Sequence, residues 1–265
     1  MKERADKLLV ERGLADTRQK AQALIMAGRV YSGEEKVDKA GRLYDAVVPL
    51  AIREGLPFVG RGGLKLAEAL DRFDVDVGNA VVLDIGASTG GFTDCLLQRG
   101  AGKVMAVDVD IAQLDHGLRR DPRVITIEKN ARYLSPEDLP ERPDFAVMDV
   151  SFISIRKILP ALKQILGSGL LAALIKPQFE AGRGRVGRKG IVRDPAVHEE
   201  VLSAVAAGVA EDGFAVLDIM SVSTRGRKGN REFFFLLAPE RRSLSEKEIC
   251  RRIKEAIGEE HEKNH

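Results

Sequence analysis

Two regimes of hydrophobic patterning divide the chain. Over the first 60 or so residues, apolar positions recur at helical spacing: Leu8 and Leu9, then Ala21, Leu24 and Ile25. That predicts two short helices around Gly13-Leu14-Ala15-Asp16-Thr17, with Thr17 or Asp16 as N-cap of the second and Gly28 as its stop. Short strands with glycine turns follow at Arg29–Gly33, Lys36–Val37 and Ala46–Leu50. The segment 55–63, G-L-P-F-V-G-R-G-G, holds four glycines and a proline and reads as a linker. It separates a small α+β domain over 1–60 from a larger one over 61–265.

From about Lys65 onward, apolar runs of strand length alternate with helical stretches. Strands are predicted at Val81–Ile85, Val104–Asp108, Val124–Glu128, Phe145–Asp149, Leu170–Ile175, Ala215–Val222 and Phe233–Leu237. Ser135-Pro136 and Asp194-Pro195 each place a capping side chain before an N1 proline, and Ser245-x-x-Glu248 is a capping box for a C-terminal helix running into a charged tail. Strands with helical crossovers imply an α/β, Rossmann-like, mostly parallel seven-stranded sheet covered on both faces. The short connection between the last two strands implies one antiparallel edge strand.

Composition narrows the class. With 44% apolar and 31% charged residues the chain is globular, and a net charge of +2 means that any nucleic-acid affinity resides in local basic patches. Cys95 and Cys250 fit no zinc spacing and read as inert thiols, and no metal site is expected. The charged start M-K-E-R-A-D-K is no signal peptide, and no apolar stretch approaches the ~20 residues of a membrane span, so a cytoplasmic protein is expected.

The turn Asp84-Ile-Gly86-Ala-Ser88-Thr-Gly90-Gly91 follows an apolar strand and opens a helix at Phe92, with Asp108 ending the next strand where a ribose hydroxyl would be held. A dinucleotide turn needs its middle glycine for close approach to a pyrophosphate, and Ser88 occupies that place. The carboxylate of Asp84 suits a cationic ligand without phosphate. S-adenosylmethionine fits both features, with Asp84, Gly86, Ser88, Gly90, Gly91, Phe92 and Asp108 as its candidate contacts. Asn130, after the third strand, is either an adenine contact or a turn residue bonding its own backbone.

Four charges mark the chemistry: Lys65 ahead of the first strand, Asp149 and Lys176 ending the fourth and fifth, and Glu232 opening the last. A ribose 2′-hydroxyl is a poor nucleophile, so a methyl-transferring site must align it and take or relay its proton. A partly desolvated lysine near other cations gains access to its neutral form, and Lys176 is the candidate for that role. Asp149 and Glu232 would hold the two ammonium groups in register. Other acceptors lack their signatures: Asp149-Val150-Ser151-Phe152 is not the Pro-Pro-aromatic turn of base-amino methylation, and neither cysteine lies near strands four and five as carbon-5 methylation requires.

Basic residues suggest RNA. Arg4, Arg18, Lys20 and Arg29 lie along the N-terminal helices, with Arg18 at a helix start suited to phosphate. Glycine-rich loops carry Arg183, Arg185, Arg188 and Lys189 after Lys176, and Arg227 and Lys228 before Glu232. Aromatics for stacking are sparse, with Phe179 and Tyr31 as weak candidates, so backbone and shape recognition is expected.

At these residues a resemblance appears. Residues 4–41, with R-A-D-K-L-L-V-E-R-G-L-A-D-T-R-Q-K-A-Q-A-L-I-M-A-G-R-V, look like an S4 RNA-binding domain, apart from Tyr31-Ser32-Gly33 where Val-Asn-Gly is common. The rest, with D-I-G-A-S-T-G-G-F-T-D-C, M-D-V-S-F-I-S, I-K-P-Q-F-E and V-R-D-P, is similar to the FtsJ-like 2′-O-methyltransferases. In this order and length the two resemble the TlyA family, ribosomal-RNA cytidine 2′-O-methyltransferases also labelled hemolysins. The resemblance implies the Lys65, Asp149, Lys176, Glu232 tetrad, S-adenosylmethionine, and ribosomal RNA of one or both subunits as partner. The hemolysin label raises a membrane-lytic alternative, and a third reading is an RNA-binding protein with an inactive methyltransferase fold. Oligomeric state is not encoded in any visible pattern.

Overall fold

The computed structural model describes residues 2–33, 35–52, 57–182, 187, 190–224, 226, 229–239 and 241–258. The chain forms two compact units, Met1–Pro57 and Phe58–His265.

In the first unit, β1 (Lys2–Arg4) leads into α1 (Ala5–Glu11) and α2 (Arg18–Met26), followed by β2 (Val30–Ser32), β3 (Glu35–Lys36), β4 (Leu43–Asp45) and β5 (Ala51–Ile52). Thr17 caps α2 by accepting from the Lys20 N–H, and Gly28, with φ of 66°, takes the left-handed position beyond its end. β1 pairs with β4, and β2 lies between β3 and β5, all antiparallel. Ala5, Leu8, Leu9, Ala21, Ile25, Val30 and Val37 share one small core. The strand expected over Ala46–Leu50 is a turn between β4 and β5. Asp45 accepts from the N–H groups of Val47 and Val48, and the Arg12 guanidinium takes the Ala46 and Val48 carbonyls, so these backbone groups pair locally instead of in a ladder.

The second unit runs α3 (Arg61–Phe73), β6 (Val81–Ile85), α4 (Gly91–Gln98), β7 (Lys103–Asp108), α5 (His116–Arg120), β8 (Val124–Glu128), β9 (Phe145–Met148), α6 (Leu159–Leu166), β10 (Leu170–Ile175), α7 (Pro177–Glu180), α8 (Pro195–Glu211), β11 (Phe214–Ser221), β12 (Phe233–Pro239) and α9 (Glu246–Gly258). The sheet order is β11-β12-β10-β9-β6-β7-β8. β12 runs antiparallel to both β10 and β11, and the other described ladders are parallel. The antiparallel pairings thus fall at one edge, with the reversed strand one place in and β11 outermost. Phe233, Phe234 and Phe235 are fully buried because successive side chains alternate faces: Phe233 and Phe235 enter the core under α6 and α8, and Phe234 enters the core under α3 and α4.

Residues 61–63, expected as linker, form the first turn of α3 instead. Their glycines are there for contact. A Cβ on Gly63 would lie 2.3 Å from the Phe58 ring, and one on Gly62 would press on Phe92. The expected charged tail after α9 lies outside the described residues.

Candidate active site

Strand register gathers the charges. Ile175 on β10 pairs with Phe233 on β12, so the next residue of the one and the preceding residue of the other, Lys176 and Glu232, are neighbours at the carboxyl edge of the sheet. Asp149 directly follows β9, the strand on the other side of β10. Lys65, ahead of the first strand of the sheet, is buried on α3, one turn from Gly62, whose Cβ position lies 4.0 Å from Asp149 Oδ2. The four residues form two ion pairs. Lys65 Nζ meets Glu232 Oε2 at 2.5 Å, with side chains 10% and 3% exposed. Lys176 Nζ meets Asp149 Oδ1 at 2.5 Å and donates to Ser151 Oγ at 2.9 Å. The cationic surroundings expected for Lys176 are absent from these contacts: its nearest charged partner is a carboxylate. The Gly226 backbone closes on Glu232, leaving no room for a side chain there, and the Val222 N–H donates to the Glu232 carbonyl.

The turn after β6 is drawn tight against these groups. Gly86 has φ of 82°, and a Cβ on it would stand 2.5 Å from the Asp149 carbonyl oxygen, so the turn and the catalytic strand end can only approach with glycine there. Gly90 and Gly91 lie against Leu114 and Leu118 and against the first turn of α3. Ser88 adopts φ of 50° and gives its N–H to Asp108 Oδ2 at 2.8 Å, while the Asp110 N–H holds Oδ1 at 3.0 Å. Asp108 is therefore a braced acceptor at the carboxyl end of β7. Asn130 Oδ1 accepts from the Arg132 N–H, which is the turn-forming of its two readings.

Two expected ligand contacts have other places. Asp84 is fully buried beneath the turn, where Thr93 Oγ1 donates to Oδ2 at 2.6 Å and Oδ1 has no hydrogen-bond partner. Burial pushes its carboxyl up to about 7, the Thr93 bond opposes this, and the nearby Asp149 charge adds to it. It does not line the mouth of the turn. Phe92 is buried too, its ring 6.0 Å from that of Phe234, and belongs to the core. Cys95 is buried, which pushes its thiol up to about 12 and leaves it inert.

Sequence reasoning missed Ser151, Thr93 and Phe152. Phe152 is 89% exposed with φ of 66°, a backbone region that bulky residues avoid. Its ring packs 5.0 Å from Phe179, which in turn lies 6.0 Å from Lys176 Nζ. An exposed aromatic therefore stands beside the charged cluster, and no sequence pattern announces a positive φ at phenylalanine. Among the basic candidates, Arg4 and Arg18 both bond Asp6, Lys20 is exposed, and Arg29 is half-buried. Arg183, Arg185, Arg188, Lys189, Arg227 and Lys228 lie outside the described residues. Asn230, two residues after Lys228 in sequence, is buried, accepts from the Val192 N–H and donates to the Gly190 carbonyl.

A doubly wound sheet with one reversed strand, a glycine turn after its first parallel strand and a braced acid after the second defines a class, the Rossmann-like methyltransferases. The sequence profile of the FtsJ-like methyltransferases matches residues 58–238, and that of the S4 domain matches residues 3–46. The chain belongs to the FtsJ-like methyltransferase family and carries an S4 domain at its N-terminal side. It is 49% identical over 264 residues to the Bacillus subtilis protein YqxC, provisionally named an rRNA methyltransferase, covering 96% of this chain and 94% of that one. It is 41% identical over 261 residues to the 16S/23S rRNA (cytidine-2′-O)-methyltransferase TlyA of Mycobacterium tuberculosis, covering 97% of each. A solved structure from Streptococcus thermophilus, provisionally named a hemolysin, superposes with a TM-score of 0.76 at 43% identity, covering 99% of this chain and 98% of that one.

Proposed function

We propose that this protein methylates a ribose 2′-hydroxyl, that of a cytidine in ribosomal RNA, using S-adenosylmethionine in the cytoplasm. The observation that carries this reading is the gathering of two lysine–carboxylate couples beside the glycine turn, the buried Lys65–Glu232 and the partly buried Lys176–Asp149, with Glu232, Lys176 and Asp149 at adjoining strand ends and Lys65 on α3. The substrate assignment draws on the S4 domain and on the names of the relatives.

The residues present suit the cofactor: Asp108 is a fixed acceptor for ribose hydroxyls, and Gly86 and Ser88 shape a backbone turn without a phosphate-binding middle glycine. When bound, S-adenosylmethionine supplies an electrophilic methyl group on a sulfonium. The chain's own part is to hold the acceptor. Lys176 Nζ, fixed by Asp149 Oδ1 and Ser151 Oγ, orients the 2′-hydroxyl, and the Lys176–Asp149 couple would receive its proton as the new O–C bond forms and the S–CH3 bond breaks, the sulfur leaving as a neutral thioether. Lys65 and Glu232 neutralise each other behind this couple and fix α3 against the start of β12. The exposed Phe152 ring offers a face on which the nucleobase stacks.

The test is transfer of tritiated methyl groups onto purified ribosomal subunits and naked ribosomal RNA, followed by nucleoside analysis. 2′-O-methylcytidine is expected, and unlabelled RNA under both conditions overturns the proposal. The hemolysin name prompts one further check. Among the described residues no helix is long and apolar enough to cross a membrane. Purified protein is expected to leave dye-loaded liposomes intact.

A further inference from the structure

Asp6 lies in the first turn of α1 and is fully buried, yet five N–H donors from three side chains converge on it. Arg4 grips it with two parallel bonds, Nε to Oδ1 and Nη2 to Oδ2, both at 2.9 Å. From α2, Arg18 reaches Oδ2 through Nη2 at 3.1 Å and Nε at 3.3 Å, and Gln22 Nε2 reaches it at 2.8 Å. The Arg4 bonds hold the Asp6 carboxyl well below the usual range against the opposing effect of burial, with Gln22 and Arg18 assisting.

One arginine suffices to neutralise one carboxylate, so two leave the cluster with a surplus positive charge. That surplus faces outward: the Arg4 and Arg18 side chains are 39% and 51% exposed, and their Nη1 groups are not spent on Asp6. Because both Nη2 atoms bond the same oxygen, they lie within about 6 Å of each other. That spacing lets two guanidinium groups bond different oxygens of one phosphate. Arg12 of the same unit is different, with its guanidinium turned onto the Val48 and Ala46 carbonyls.

We infer that Asp6 is a positioning residue that locks Arg4 and Arg18 into a two-armed fork for one backbone phosphate of the RNA. The inference rests on the reading of this protein as an RNA methyltransferase. Ordering both long side chains beforehand removes the rotamer entropy otherwise lost on binding.

Asp6→Asn tests it with an unusual sign. The substitution is isosteric and removes a negative charge, so long-range electrostatics alone makes RNA binding tighter. The fork predicts binding about tenfold weaker, with a shallower dependence on salt. The assay is filter binding of the full chain to naked ribosomal RNA across a potassium chloride series. In an Arg4→Gln/Arg18→Gln background, Asp6→Asn is expected to weaken binding no further. Binding by Asp6→Asn that equals or exceeds the parent overturns the inference, as does an undiminished loss in that double background. Should circular dichroism show Asp6→Asn unfolded, Arg4→Lys/Arg18→Lys keeps the charge and removes the planar forks: about tenfold weaker binding supports the fork, and unchanged binding overturns it. Failure of the parent chain to bind or methylate RNA overturns the underlying reading instead.

Discussion

Replacing Asp84 by asparagine isolates the cost of an acid buried beneath the cofactor turn. Its carboxyl is fully buried and accepts a hydrogen bond from the Thr93 hydroxyl. Burial raises it from 3.8 to about 7. Between those values the folded chain holds a proton that the unfolded chain has released, so this group's contribution to stability falls as pH rises toward 7 and is level above it. From pH 4.5 to 8.5 the change amounts to about 3 kcal/mol, at about 1.4 kcal/mol for each pH unit up to 7. Asparagine keeps the acceptor for Thr93 and cannot ionise. Urea unfolding of the parent and Asp84→Asn at pH 4.5, 6, 7 and 8.5 therefore has a defined outcome: the variant gains on the parent by about 3 kcal/mol across the series and stops gaining above 7. A stability difference that stays flat with pH, or shrinks as pH rises, refutes the argument that this acid is protonated by burial.

Further outcomes follow from the same geometry. Lys176→Ala is expected to abolish methyl transfer while S-adenosylmethionine affinity, read by calorimetry, stays nearly intact; undiminished turnover sinks its role. Glu232→Gln leaves the Lys65 ammonium buried without its counter-charge, at a cost of about 3–5 kcal/mol in chemical denaturation, and a loss under 1 kcal/mol contradicts that picture. Gly86→Ala drives a Cβ into the Asp149 carbonyl at positive φ, so both cofactor binding and thermal stability should fall, and an alanine variant with parental affinity argues against the tight approach. Phe152→Ala removes an exposed ring and should raise the KM for RNA by about tenfold without lowering stability, in keeping with the ~1–3 kcal/mol of a base–aromatic stack.

What could be read in advance followed from burial on both faces. Strands such as Phe145–Met148 and Leu170–Ile175 are apolar runs closed by turn residues, and a charge directly after such a run has to stand at the sheet edge, which is how Asp149 and Lys176 stood out. The tandem Phe233–Phe235 marked a strand by the same logic, but its place one strand in from the edge depends on pairing partners far apart in sequence. The helical start at Arg61, which carries Lys65, was not legible because Gly62 and Gly63 read as breakers, whereas tight packing against Phe58 and Phe92 holds them in a helix. Asp84 was read as facing the ligand because no pattern tells which side of a doubly covered strand a lone acid takes. Arg4 and Arg18 were legible as basic, but their common dependence on Asp6 appears only once α1 and α2 are packed together.

Nucleoside analysis of labelled ribosomal RNA decides the identity of the methyl acceptor. With tritiated S-adenosylmethionine and purified 30S and 50S subunits, the label should appear in 2′-O-methylcytidine with the parent chain and disappear with Lys176→Ala. Label on a base carbon or amino group, or on no nucleoside at all, contradicts the account.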